Sequence, residues 1–509
     1  MKNPLANIDS TIPWSKHQLD FFTQCATTKT SIALNAVAGS GKTTTLVAAA
    51  TLFNKTLALA FNKKTALALA ERLPPGAEAR TFNSLGHRAW AQHLRAQFIS
   101  IPIFLANTKT NAVARSLYQL NWFEDLSRDE RLNINKIVAL AKTYGWVPPS
   151  VEGAFSLLDF SNFLEKLDYH GIPHTTADTD IAAAILKESI HWAFGNAPAK
   201  SHSGKSYPFL DFNDQLYLPT IFKLKLAQYP TILVDEAQDL SHIQHEMISK
   251  SLAPEGRLIA VGDPYQAVYG FRGALADSFQ SLKRRFKMTE LPLSVSFRCA
   301  QNVVLEAQKI VPHIEQSASA PKGDVIHWAD TEWNFSINSM PRGSVILCRF
   351  NAPLVTQAYE ALKAGRGINF PGRDIAAGLV GLIKKLPSVS QAAIDIWKRS
   401  ELSKASNNPT IQATVEDKAA ILTVILSQTN ASTKPELARE IERLFSRDDP
   451  DITFSSIHRA KGLEWPDVFI LNSDLIPSKY AESEWEHAQE DNLLYVAITR
   501  AITNLHYIN

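Results

Sequence analysis

Short apolar runs recur along the chain, and each ends in, or is followed at once by, a polar residue or a glycine. They are SIALNAVA (31–38), TLALAF (56–61), TILVDEA (231–237), RLIAVGD (257–263), SVILCRF (344–350) and DVFILN (467–472). Such runs, rich in β-branched residues, predict strands buried on both faces, as in parallel sheets. Between them the apolar residues return with helical spacing. KTTTLVAAATLF (42–53) and NKKTALALAERL (62–73) predict helices that follow the first two strands, with Asn62 as an N-cap. The fold class expected is therefore α/β, with parallel sheets. Two stretches break the alternation. Residues 87–204 and 376–447 are helical in pattern and poor in strand signals, so each reads as an insertion. SHSGKSYPF (201–209) and SRDDPD (446–451) read as loops.

Composition narrows the picture. With 509 residues, 45% hydrophobic and 20% charged, the chain has the apolar content for large cores and is not globally disordered. A net charge of +2 provides no basic whole-molecule field, so any nucleic-acid site must be a local stripe. The three cysteines, Cys25, Cys299 and Cys348, share no metal-ligand spacing and are an odd number for a disulfide framework. A reducing, cytoplasmic setting is expected. The N-terminus lacks the apolar core of a signal peptide, and no run reaches membrane-spanning length, so no membrane partner is expected.

The first strand runs into AVAGSGKT (36–43). Ala36 stands where a phosphate loop has its first glycine. Ala38, Gly39, Ser40, Gly41, Lys42, Thr43 and Thr44 otherwise fit a loop whose backbone N–H groups turn inward ahead of a helix N-terminus. Lys42 would neutralise phosphate charge, and Thr43 would hold Mg2+ through its hydroxyl. ILVDEAQDL (232–240) places Asp235 at a strand end beside Glu236. Adjacent carboxylates there are costly without a cation. Asp235 is expected on the Mg2+ and Glu236 on the attacking water. ATP and Mg2+ are the expected cofactors.

DEAQD with VGDPYQAVYGFRGA, followed in order by LSVSFR, IHRAKGLEW and LLYVAITRA, resembles the superfamily 1 helicases of the UvrD/Rep type. The resemblance spans nearly the whole chain and implies two RecA-like parallel-sheet motor domains with ATP between them. Residues 1–86 and 205–283 would form the first motor domain around insertion 87–204. Residues 284–375 and 448–509 would form the second around the small insertion 376–447. The resemblance also implies roles residue by residue. Gln18 would read adenine, Phe297 would stack on it, and Glu464 would contact the ribose. Gln266 would sense the γ-phosphate, and Arg298 and Arg500 would stabilise the transferred phosphoryl group. Single-stranded DNA would run past Phe61, Thr81, Ser84, Tyr269, Phe271, Arg272 and His458, with aromatic rings stacking on bases.

The activity so implied is 3′→5′ ATP-dependent movement on single-stranded DNA and at single-strand/duplex junctions. Departures qualify it. Phe271 replaces a tryptophan, Asn83 replaces a histidine, and Pro264 stiffens its loop. The second insertion is short, and the chain ends where longer members continue into a strand-separating hairpin. Translocation is therefore expected more firmly than processive unwinding. The alternative is an ATP-gated remodelling subunit that strips proteins or serves a partner nuclease or repair factor. A helicase–nuclease fusion is set aside, because no carboxylate-rich domain follows the motor. Asp211 and Asp214 in LDFNDQLYLP are expected to be structural, and the basic run at Arg285 to be a solvated helix face. The protein would work at the nucleoid, and its compact length fits a phage or mobile-element enzyme.

Overall fold

All six apolar runs become strands in the computed structural model of the chain. It describes residues 5–99, 102–118, 126, 128–197, 206–268, 278–328, 337–338, 340–404, 409–449, 451–481 and 484–508. The chain falls into two units. One holds 1–36, 42–264 and 269–293; the other holds 37–41, 265–268 and 294–509.

The first unit opens with α1 (Lys16–Thr27), β1 (Ile32–Ala36), α2 (Lys42–Ala50), β2 (Thr56–Ala60), α3 (Lys63–Ala70) and β3 (Ala77–Thr81). After a helical excursion come β6 (Tyr229–Val234), α10 (His242–Ser251), β7 (Leu252–Gly262), α11 (Ser278–Arg285) and β8 (Thr289–Leu293). The strands form one parallel sheet in the order β3-β2-β6-β7-β1-β8. Period-two alternation divides each apolar run between two cores. Leu57, Leu59, Ile232, Val234, Leu258 and Ala260 enter one, while Ile32, Leu34, Ala58, Leu233, Ile259 and Val261 enter the other. This explains why the runs are apolar throughout. The edge strand β3, Ala-Glu-Ala-Arg-Thr, is half-buried along its whole length. It carries no apolar run, and the sequence pattern missed it.

Asn62 caps α3 as expected, its side chain accepting the N–H of Thr65 at 2.9 Å. Asn62→Ala should cost about 1 kcal/mol in urea unfolding, while Asn62→Asp should be close to neutral. On α10, His245 is buried, with Nε2 3.2 Å from the Ser278 hydroxyl. Burial, then His242 and Arg285, push its pKa from 6.5 down to about 3. The folded state keeps it neutral while the unfolded chain protonates it below about 6.5. Its contribution is therefore intact above that pH and is lost as pH falls toward 3. The loss should reach about 2 kcal/mol by pH 5. His245→Asn should flatten this acid limb when unfolding free energies at pH 7 and 5 are compared.

The excursion comprises α4 (Phe82–Ala96), β4 (Phe104–Leu105), α5 (Lys109–Tyr118), α6 (Arg128–Tyr144), α7 (Phe160–Tyr169), α8 (Thr176–His191), β5 (Phe209–Leu210) and α9 (Asp214–Ile221). Its helices share a core around Trp90, Ile134, Phe163, Ile185 and Trp192. A charge cluster lies inside. Lys109 Nζ is 2.6 Å from Asp214, and Lys142 Nζ is 2.7 Å from both Asp211 and Asp214, all four side chains being buried. The stretch LDFNDQ is thus tied into the fold by its aspartates.

The second unit holds β9 (Val295–Ser296), α12 (Gln301–Ala307), β10 (Glu315–Gln316), β11 (Asp324–Trp328), β12 (Ser344–Cys348), α13 (Asn351–Lys363) and β13 (Ile368–Asn369). Four helices follow: α14 (Arg373–Ile383), α15 (Gln391–Lys404), α16 (Pro409–Gln428) and α17 (Lys434–Phe445). The chain then returns through β14 (Ile452–Ser456), α18 (Ile457–Ala460), β15 (Trp465–Leu471), α19 (Glu484–Ile498) and β16 (Ala501–Ile508). The sheet is again parallel, ordered β11-β16-β15-β12-β14-β13. The four-helix stretch packs into the same core through Leu379, Leu422, Ile425 and Ile441. Both sheets have the parallel architecture the sequence implied. Among the described residues no helix is long and apolar enough to cross a membrane.

Candidate functional site

Strand register levels the functional loops of the first unit. Asn35 of β1 pairs with Gly262 of β7, and Leu59 of β2 with Val234 of β6. The phosphate-loop segment, Asp263 and Asp235 therefore leave the sheet at one edge, the carboxyl ends of its strands. Lys42 opens α2 and points its Nζ to 3.8 Å from Asp263. Thr43 donates its hydroxyl to Asp235 Oδ2 at 2.6 Å. Asp235 is buried, and burial followed by the neighbouring Glu236 charge raises its carboxyl pKa from 3.8 to about 6. Glu236 holds a left-handed backbone, φ 54°. Its N–H donates to Asp235 Oδ1 at 2.9 Å, and its carboxylate accepts from Gln238 at 2.6 Å. Left-handed non-glycine residues are uncommon and costly, and they concentrate at functional sites.

These residues suit a divalent cation. A hydroxyl oxygen and a carboxylate touch, and the burial and Glu236 charge that raise the Asp235 pKa are what a cation would offset. Among the described residues no cluster of three or more His, Cys, Asp or Glu could cage a metal. One or two protein ligands, with phosphate oxygens completing the shell, is the pattern Mg2+ uses.

Other expected residues are engaged in the fold. Gln18 is buried, its Oε1 accepting from Ser15 N–H and its Nε2 donating to Thr45, each at 2.8 Å. Its amide thus serves the start of α1 and reaches α2. Thr44 accepts from Arg72 at 3.0 Å. Phe61 follows β2 and is 41% exposed. Thr81 caps α4 by accepting Ser84 N–H, and Ser84 returns its hydroxyl to Thr81 O. Asn83 donates to Phe212 O at 2.8 Å. Phe61, Thr81 and Ser84 line one open cavity of about 690 Å3 together with Leu105 and Phe212. Tyr269, Phe271 and Arg272 lie outside the described residues. In the basic run, Lys283 pairs with Glu290 and Arg285 with Glu246, as a solvated helix face would.

Residues 37–41 and 265–268 group with the second unit. Gly39 and Gly41 take φ +74° and +76°. A Cβ at Gly39 would also sit 2.6 Å from Arg298 Cβ, so glycine is required there twice over. The N–H of Ala38 donates to the Tyr495 hydroxyl at 2.9 Å, and Ser40 donates to Val37 O at 2.8 Å. Gln266 is buried, and its carbonyl accepts from Lys461 at 2.7 Å. Arg298 pairs with Glu464 at 2.5 Å and donates to Thr499 O. Phe297 beside it is 45% exposed, and His458 in α18 is half-buried. Arg500 is only 1% exposed. It donates to Val496 O and Leu463 O at 2.9 Å each. The Val496 carbonyl belongs to the last turn of α19, where helix carbonyls lack a partner within the helix, and a buried guanidinium satisfies it.

Residues 16–287 match the UvrD/REP helicase N-terminal domain, and residues 380–509 match the UvrD-like helicase C-terminal domain. The first match alone covers more than half of the chain. The chain belongs to the UvrD/Rep helicase family. It is 26% identical over 328 residues to the ATP-dependent DNA helicase UvrD2 of Mycobacterium tuberculosis, covering 55% of this chain and 47% of that protein. It is 26% identical over 316 residues to the F-box DNA helicase protein 1 of Schizosaccharomyces pombe, covering 56% and 34%. It is 24% identical over 376 residues to a probable DNA helicase II homolog of Mycoplasma genitalium, covering 54% and 53%. The chain spans about half the length, or less, of these curated relatives. In this UvrD/Rep member, the sequence marked Asp263 as part of its motif without giving it a partner, and it gave no role to Arg72 or Tyr495. Asp263 and Tyr495 sit inside motifs already conspicuous. Arg72 carried no signal beyond its helix.

Proposed function

We propose that the chain hydrolyses ATP to move 3′→5′ along single-stranded DNA. The observation that carries this is the Thr43 hydroxyl on Asp235 at 2.6 Å, with Lys42 held beside Asp263. Thr43 and Asp235 would hold Mg2+, whose chemistry there is to neutralise phosphate charge. Lys42 leaves its loose pair with Asp263 for the β- and γ-phosphates. Gly39 and Gly41 turn backbone N–H groups toward the same anion. Glu236, fixed by Gln238, orients the attacking water. Gln266 reports the γ-phosphate, and Arg298 and Arg500 stabilise charge on the transferred group once freed from Glu464 and the carbonyls. Gln18 and Phe297 take the adenine, and Glu464 the ribose. Phe61, Thr81, Ser84, Tyr269, Phe271, Arg272 and His458 form the DNA track. The helical segments 87–204 and 376–447 act as insertions in the two motor domains, and the protein works inside the cell.

Strand displacement tests this on duplexes with a 3′ or a 5′ single-stranded tail, alongside the ATPase rate. Opening of the 3′-tailed duplex alone is expected. ATPase stimulated by DNA without opening of either duplex would leave a translocase that needs a partner wedge. Preference for the 5′ tail, or no stimulation by DNA, would overturn the assignment.

A further inference from the structure

The second unit contains a cavity of about 830 Å3 that none of the motor residues line. Its walls come from the end of α13, the turn after α16, and α17 with the residues beyond it. Arg366, on this wall, pairs with Asp451 just before β14. The cavity therefore lies by the amino ends of the strands. His458 follows the carboxyl end of β14, the opposite edge of the sheet.

The polar groups in this cavity are unevenly matched. The Tyr359 hydroxyl and Arg447 Nε are buried atoms with no hydrogen-bond partner among the described residues. A buried donor left unmet is costly, so each favours an incoming acceptor. Burial first, then Glu440, raise the Tyr359 pKa from 10 to about 12, while Arg443 and Arg447 act the other way. Tyr359, Arg443 and Arg447 line this one cavity together. The wall also carries Lys363, whose pair with Glu360 is solvent-exposed, and Arg443, 3.9 Å from Glu440. Two acids face the same space, but Glu436 is engaged in capping α17 through Ser432 and Thr433 N–H. Arg366 is likewise spent on Asp451 and three carbonyls. What remains is a surplus of cationic and neutral donors around one space. The volume lies in the range of small-molecule sites and far exceeds what a single water needs.

We propose that this cavity binds a phosphate group, with Arg447, Arg443 and the Tyr359 hydroxyl as its donors. Guanidinium forks match phosphate oxygens, and a tyrosine hydroxyl adds a directional donor. The phosphate could belong to a free nucleotide or to a nucleic-acid backbone, and the two are separable.

The test is calorimetry of inorganic tripolyphosphate with the full chain kept saturated in MgADP. One further site per chain is expected, at least tenfold weaker in Arg447→Gln and in Arg443→Gln. Arg443 is exposed, so its variant folds even if the other does not. Tyr359→Phe should weaken binding several-fold while leaving the ligand-free melting temperature equal or higher, since it removes an unmet donor. A purely structural tyrosine would lower that temperature. Displacement by a short blunt duplex would assign the phosphate to nucleic acid. Displacement by free nucleotide only would assign it to a small ligand. Absence of a further site, or a site unmoved by both arginine variants, would overturn the proposal.

Discussion

Lys42→Ala is expected to lower DNA-stimulated ATP turnover about a hundred- to a thousandfold, the usual loss when one preorganised donor to a transferring group is removed. The side chain is positioned by the first turn of α2 and has Asp263 at 3.8 Å, a loose pair that gives way easily to phosphate. The variant should remain folded, because the lysine carries no core packing. Weak binding to single-stranded DNA should also persist, since the proposed DNA track at Phe61, Thr81 and Ser84 is untouched. Steady-state phosphate release, with circular dichroism as a folding control, gives the answer. A folded variant within tenfold of the parent rate would remove Lys42 from the chemistry.

The second large effect concerns stability. Asp214→Ala should cost about 3–5 kcal/mol in urea unfolding, the penalty for breaking a buried ion pair from one side. Two lysines and two aspartates share the interior of the helical excursion, at 2.6–2.7 Å. Burial lowers the pKa of Lys109 despite Asp214, whereas both carboxylates hold Lys142 firmly protonated and Lys142 in turn holds Asp211 ionised. Removing Asp214 leaves a buried surplus of positive charge. The pair Lys109→Met with Asp214→Leu restores neutrality and should recover most of the loss. If the single variant were as stable as the parent, the cluster would be solvated rather than buried.

The parallel sheets were legible because strands buried on both faces must be apolar at every position. Ile232, Leu233 and Val234 announce themselves whichever core each enters. The edge strand Ala77–Thr81 was not legible, since one side of it meets solvent and its residues are half-buried. The contact of Thr43 with Asp235 was readable as chemistry, because both residue types are ligands of a hard cation. Its distance required the register that brings residues 192 positions apart to one sheet edge. The engagement of Arg500 with carbonyls was invisible, because any arginine after a helix could turn outward or back. Gln18 was equally ambiguous, and its capping role depends on Ser15 three residues earlier.

The parallel pairing also sets a timetable for synthesis. Ile32 of β1 has no strand beside it until Ile259 of β7, 227 residues later, has left the ribosome. At about 5–20 residues per second the wait is roughly 11–45 s. During it an apolar strand, Ile32–Ala36, stands without its sheet. The helical excursion, whose own core needs nothing before Trp90, can settle within that interval. A nascent chain of this protein therefore depends on whatever shields β1 in the cell, and expression at lower translation speed lengthens the exposure rather than relieving it.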